Sequence, residues 1–225
     1  MEFTVVKSSQ EPLYREALSL YDEKLDISLY EDEQIFKQSL ENQYTKDDYI
    51  FLVGLEEGEV VSLATAHYEA TTNSSFLIYL IARNTDNHDT LMDLTLEEVK
   101  SEINKLANRV HERDVNFIMF EVPKEPEELD DETDQIIRDR QTFLNRHGFE
   151  KQHEIPYLRP DFDGTSPGIP KDLYIKPNLE LTKDIYGTSV KSNYILKYVF
   201  ANKLSRSYIY SLLEAMNLRK ASHSS

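Results

Sequence analysis

Apolar residues recur with two periods along this chain, and the changes of period divide it into elements. Residues 75–110 show the change most clearly. An apolar run over residues 76–82 predicts a strand, and a polar stretch predicts a loop. Leu96, Val99, Ile103, Leu106 and Val110 then step by three and four, which predicts a long amphipathic helix. Glu97 and Glu98 near its start and Arg109 near its end suit the helix dipole. A strand feeding a helix N-terminus is a natural anion site, because the first N–H groups of a helix have no partner within it.

Upstream, residues 3–6 predict a short edge strand. Leu13, Ala17, Leu20 and Leu25, with Tyr14, Leu18 and Tyr21, predict a helix, and residues 29–43 a second, facing inward with Ile35, Phe36 and Leu40. Residues 49–55 (YIFLVGL) form a continuous apolar run, as in a strand buried on both faces. Turns at 56–59 and 71–74 join it to strands at 60–70 and 76–82, an antiparallel meander. Downstream, residues 115–122 (VNFIMFEV) predict a strand that the long helix must make parallel to its predecessor. An acidic stretch over 123–134 leads into a helix ending at His147, with Ile136, Ile137, Phe143 and Leu144 inward. Gly148 can take the left-handed position after it, with Phe149 folded back on Leu144. A strand over 150–158, a Pro/Gly/Asp-rich loop over 159–170 and a strand over 172–175 follow. Two short helices occupy 188–219, the second with Ile209, Leu212, Leu213 and Met216 on one face and Ser205 as its cap; residues 221–225 form a tail.

Composition narrows the function classes. With 225 residues, 14 Tyr, 10 Phe and no Cys, the chain can bury a core but holds no disulfide, thiolate metal site or cysteine nucleophile. A formal charge of −16 repels phosphate backbones and anionic lipid, so nucleic acid and membrane are not expected partners. No leader is evident and no apolar run approaches the ~20 residues of a membrane span, which predicts a cytoplasmic protein. The six His show no metal-ligand spacing, and neither a Walker loop nor a nucleophile elbow is present.

The order of elements resembles the Gcn5-related N-acetyltransferase (GNAT) family. The most specific local match is Phe143-Leu144-Asn145-Arg146-His147-Gly148-Phe149, similar to that family's aromatic-Tyr-x-x-x-Gly-Phe segment. Tyr157-Leu158-Arg159-Pro160 and Asp172-Leu173-Tyr174 are similar to the closing hairpin of some bacterial members. The resemblance implies an α/β (α+β) fold, with a mixed, mostly antiparallel central sheet flanked by helices over residues 1–180. Residues 181–225 would form a C-terminal helical extension. Its Tyr194, Tyr198, Tyr208 and Tyr210 could complete a homodimer or pack back as a lid.

The resemblance also implies an acyl-CoA-dependent N-acetyltransferase acting on a small-molecule or peptide amine, with acetyl-CoA between the fourth and fifth strands. The cofactor would run along Leu80, Ile81 and Ala82, with Arg83, Asn87, His88, Asp89 and Thr90 around its pyrophosphate and Leu144 near its sulfur. The family's loop is glycine-rich there, whereas residues 83–91 contain none and add Asp86 and Asp89. Asp89 or Thr90 could instead simply cap the helix. Leu144 replaces the family's proton-donating Tyr, and Ile137 replaces an Asn. A GNAT-fold pseudoenzyme that has lost the cofactor is therefore the competing expectation. The candidate catalytic residues are Glu121 as base, His67 as an alternative base and Tyr79 as proton donor. Each has a plainer reading: a solvated strand end, a structural histidine and a core aromatic.

Overall fold

The computed structural model describes residues 1–24, 33–124, 131–180 and 182–221. The expected Leu25, the first turn of the second helix (29–32), residues 125–130 of the acidic stretch and the tail at 222–225 lie outside these residues.

An eight-stranded mixed sheet organises the chain. Strand β1 (Glu2–Val5) is followed by helices α1 (Pro12–Lys24) and α2 (Glu33–Glu41). The meander β2 (Tyr49–Glu56), β3 (Glu59–Glu69) and β4 (Ser74–Ala82) comes next. Then follow α3 (His88–His111), β5 (Phe117–Pro123) and α4 (Asp131–Arg146). Short strands β6 (Glu150–Lys151) and β7 (Leu158–Arg159) precede β8 (Ile169–Pro177). The order across the sheet is β1-β2-β3-β4-β5-β8-β6, with β7 pairing the start of β8. Among the described strands only β4 and β5 run parallel, as expected of two strands joined by a helix.

Local chemistry explains the joints. Pro12 opens α1, where its missing N–H costs nothing. Glu57 and Gly58 both have positive φ, which is the backbone a two-residue hairpin loop needs. After α4, Gly148 sits at φ 79° and the Phe149 N–H donates to the Leu144 carbonyl at 3.0 Å. Phe149 and Leu144 are both fully buried, so the predicted helix stop is present with its hydrophobic contact.

The sheet's two faces carry different layers. Helices α3 and α4 cover one, with Leu96, Val99, Ile103 and Leu144 packed on Ile50, Leu77, Leu80, Ile118 and Phe120. On the other, α1 and α2 pack Tyr21, Phe36 and Leu40 over Phe51, Leu63 and Tyr79. Beside them lie α5 (Lys183–Ile195), a π-helical turn (Leu196–Ala201) and α6 (Arg206–Ala215). Tyr186, Val190, Tyr194, Tyr198, Ile209, Leu212, Leu213 and Met216 cover Phe76, Phe117, Met119, Leu173 and Ile175. Tyr194 and Tyr198 are thus spent inside the chain and cannot serve a dimer contact.

Several expectations need correction. The strand over 150–158 is two short pieces, because the Gln152 side chain caps a turn through Glu154 and Ile155 and lifts the chain off the sheet. Val110 is 52% exposed and Ala107 takes its place in the core; Ile136 is likewise 48% exposed. The last strand is longer than expected because β7 supplies a partner for its start.

Thr65 lies mid-sheet at 0% exposure, and its hydroxyl has no hydrogen-bond partner among the described residues. Thr65→Val keeps the shape and removes the orphaned polar group. It is expected to raise stability by about 1 kcal/mol, read as a melting temperature higher by about 2–4 °C; an unchanged or lower value would show that the hydroxyl is satisfied.

Candidate active site

The parallel ladder between β4 and β5 is short. It pairs Ser74–Leu77 with Phe117–Phe120 and goes no further, although β4 continues to Ala82 and β5 to Pro123. The register between β3 and β4 shifts at the same level: Thr65 faces Tyr79 and Ala66 faces Leu77, so Ile78 is an extra residue on β4. A bulge kinks and twists the strand that carries it. Here it coincides with the point where β4 and β5 part, and it leaves the upper edge of β4 without a ladder partner among the described strands.

Leu80 and Leu144 belong to the same cluster on the α3/α4 face. Ile81 points the other way, into the α1/α2 core, and Ala82 packs with Val61 and Leu91. The loop after β4 is held by its own contacts. The Arg83 N–H bonds Val61, while its guanidinium lies 3.4 Å from the Glu59 carboxylate. His88 places Nδ1 2.9 Å from the Arg83 carbonyl oxygen. Neither Asp89 nor Thr90 is the cap. Helix α3 begins at His88 with Asn87 in the cap position, and no side chain accepts from the helix there. The first α-type bond runs from the Leu91 N–H to the Asn87 carbonyl. The Asn87 amide instead contacts Thr85 and Glu56.

Glu121 is not a solvated strand end. It is 9% exposed on the face covered by α5 and the π-helical turn. Its Oε1 lies 3.6 Å from Arg159 Nε, and the Tyr198 hydroxyl donates to its Oε2 at 3.4 Å. Arg159 is itself buried, its guanidinium 5.5 Å over the Phe162 ring. Burial, and then the Glu121 charge, push the Tyr157 hydroxyl well above the usual tyrosine range, and Tyr194 is raised by the same two causes. Both phenols stay neutral, and the Tyr194 hydroxyl donates to the Leu158 carbonyl at 2.6 Å. The buried Lys197 ammonium lies 4.7 Å from the Tyr198 ring centre and 5.4 Å from that of Phe76. A carboxylate held by an arginine and ringed by tyrosines therefore stands at the end of β5 beside the gap.

The other candidates sit apart from this group. His67 is 1% exposed, its ring 4.8 Å from Tyr49, and Phe76 is its register partner on β4. Tyr79 is packed edge-on to Tyr21 at 5.2 Å and against Phe36 at 5.4 Å. Sequence reasoning missed Arg159, Tyr157, Tyr198 and Lys197. The only local signal was an arginine inside the apolar stretch 155–159. It also missed the clamp between α3 and α4, where Asp93 meets Arg146 at 2.6 Å and His147 at 2.8 Å. Asp93 titrates below the usual carboxylate range: the hydrogen bonds and charges of His147 and Arg146 outweigh burial, the largest single influence, which acts upward.

No protein-family model matches the chain, and no curated protein sequence does. Solved structures do. A GNAT-family structure from Bacteroides thetaiotaomicron, described as an acetyltransferase, matches with TM-score 0.63 at 15% identity, over 89% of this chain and 99% of its own. The aminoglycoside 6'-N-acetyltransferase of Enterococcus faecium matches with TM-score 0.54 at 10% identity, over 81% of this chain and 100% of its own. A GNAT-family acetyltransferase from Staphylococcus aureus matches with TM-score 0.50 at 12% identity, over 78% and 99%. Likeness at such identities is a likeness of fold, and the fold is that of the GNAT acetyltransferases.

Proposed function

We propose, from the GNAT fold, that the protein is an acyl-CoA-dependent N-acetyltransferase acting on a small-molecule or peptide amine. The observation that carries this reading is the end of the β4–β5 ladder at Leu77 and Phe120, level with the bulge at Ile78. Above that level β4 offers backbone donors and acceptors to an extended, amide-bearing arm, as a sheet edge does to an added strand. Leu80 and Leu144 supply an apolar wall on the α3/α4 side. When bound, the acyl thioester supplies the electrophilic carbonyl. Glu121 takes the proton from the amine, directly or through water. Arg159 and Tyr198 hold its carboxylate in place. Among the other candidates, His67 is an alternative base, and Tyr79 a donor in place of Leu144. Residues 1–180 would carry the acetyl transfer, and the extension over 181–225 would wall the acceptor side.

The pyrophosphate end fits less well. Residues 83–91 contain no glycine to admit the phosphates, Arg83 is already paired with Glu59, and Asp86 and Asp89 oppose an anion. These observations favour the second reading, a GNAT-fold pseudoenzyme that binds another ligand or a protein. Calorimetry with acetyl-CoA separates the two: saturable heat below about 1 mM supports the enzyme, and none at that concentration overturns it. Changing Asp86 and Asp89 together to glycine removes two negative charges beside the expected pyrophosphate. It is expected to tighten acetyl-CoA binding about tenfold, with a gain that shrinks in high salt. Unchanged affinity would place the pyrophosphate elsewhere.

A further inference from the structure

Strand β8 alternates between the two faces of the sheet. Leu173 and Ile175 lie under α5 and the π-helical turn, and Tyr174 lies under α3 and α4. By that alternation Lys176 belongs to the α3/α4 face, opposite Glu121, whose register partner is Leu173.

The surroundings of the Lys176 amine are unusual for a lysine. Its Nζ donates to the His147 carbonyl at 2.7 Å, just past the end of α4. From α3, Lys100 reaches it as a like-charged neighbour. Glu97, on the same helix, is already paired with Lys100 at 2.7 Å. The His147 ring turns to Asp93 at 2.8 Å and to Glu97 at 3.9 Å. From β5 the register partner is the apolar Ile118. Among the described residues, then, Lys176 meets a carbonyl and a second lysine, and no carboxylate at ion-pair distance. Burial, and then the Lys100 charge, hold its amine below the usual lysine range, against a weaker upward pull from Glu97. The amine is still open to reagents. Lys176 is only partly buried. Gly148 passes beside it without a side chain, where a β-carbon would lie 3.5 Å from Nζ. Lys100 lies in the wall of an open cavity of about 500 Å³ along α3.

A like charge beside an amine, with no acid to hold its proton, favours the free base, which is the form that attacks a carbonyl carbon. We propose that Lys176 is a site of covalent acylation by activated acyl donors, thioesters or acyl phosphates. The Nζ lone pair attacks the acyl carbonyl carbon and forms the C–N bond. The C–S or C–O bond breaks, the thiolate or phosphate leaves with the bonding pair, and the nitrogen gives its proton to water. The product amide keeps one N–H for the His147 carbonyl and removes the charge beside Lys100. The reaction makes no use of the β4–β5 cleft, so it stands or falls apart from the acetyltransferase reading.

The full chain is incubated with acetyl-CoA and, separately, with acetyl phosphate at about 1 mM and about pH 8, and acetylation is followed by peptide mass spectrometry. With at least one donor, Lys176 is expected to react at least about fivefold faster than the exposed Lys46, Lys105 and Lys203. Lys105 is the sharpest comparison, because its hydrogen bond to Glu102 holds its ammonium above the usual range. The faster donor identifies the leaving group as thiolate or phosphate. In denaturing urea the preference is expected to vanish. Lys100→Gln removes the like charge and leaves Glu97 to Lys176, and should slow the reaction there severalfold. Glu121→Gln should leave the rate at Lys176 as it is. Equal rates at all four lysines, a preference that survives urea, Lys100→Gln as fast as wild type, or a rate that falls in Glu121→Gln would each overturn the proposal.

Discussion

Glu121→Gln is expected to cut the rate of acetyl transfer to a saturating amine by about 100-fold or more while leaving acetyl-CoA affinity within about twofold. The size follows from what a positioned base contributes to proton removal. Specificity for turnover follows from the geometry. The side chain lies on the α5 face of β5, whereas Leu80 and Leu144, the wall beside the expected cofactor, lie on the α3/α4 face. Glutamine keeps the shape and can still accept from the Tyr198 hydroxyl, but it loses the charge that faces Arg159 at 3.6 Å. A hydrogen-bonded charge of this kind contributes about 1.5–3 kcal/mol, so a lower melting temperature is expected as well. Steady-state kinetics on variant shown by circular dichroism to be folded separates the two effects. Turnover equal to wild type would remove Glu121 from the chemistry and pass the role of base to His67.

Leu144→Ala should destabilise the protein by about 3 kcal/mol, read as a melting temperature lower by about 6–12 °C. Leu144 has no exposed surface and shares its cluster with Leu80, Leu96 and Val99. Its carbonyl also receives the Phe149 N–H that ends α4. The truncation leaves a void where α4, α3 and the sheet meet. The same crowding bears on chemistry. Leu144→Tyr, which places there the residue that the resemblance to the GNAT segment implies, must fit a larger ring into a filled site, and is expected to cost stability without raising turnover. A loss under about 1 kcal/mol in Leu144→Ala would mean that the site relaxes freely.

Much of the fold was legible because neighbouring residues determine it. The polar turn at 56–59, the helical steps from Leu96 to Ile103 and the Gly148–Phe149 stop each lie within a few residues of the structure they specify. Where a distant partner decides, the pattern misleads. Val110 continues the apolar stripe of α3 by spacing, yet it is exposed and Ala107 is buried in its stead. Glu121 looked solvated because Pro123 follows it. Its burial comes from Arg159 and Tyr198, and β8 is what brings Arg159 near, pairing Leu173 with Glu121 and Ile169 with Arg159. The candidate site was legible at the level of strands, in the parting of β4 and β5. It was not legible at the level of side chains, because half of the ring around Glu121 comes from beyond the stretch that carries the resemblance.

That late contribution sets an order of events during synthesis. Met119 and Glu121 leave the ribosome about 90 residues before Ile209 and Leu212, a delay of roughly 5–20 s at ordinary rates of translation. Until then one face of the nascent sheet, with Phe76, Phe117, Met119 and Leu173, has no cover of its own. Over that interval this apolar face is the surface a holdase would cover until the chain's own last helices replace it.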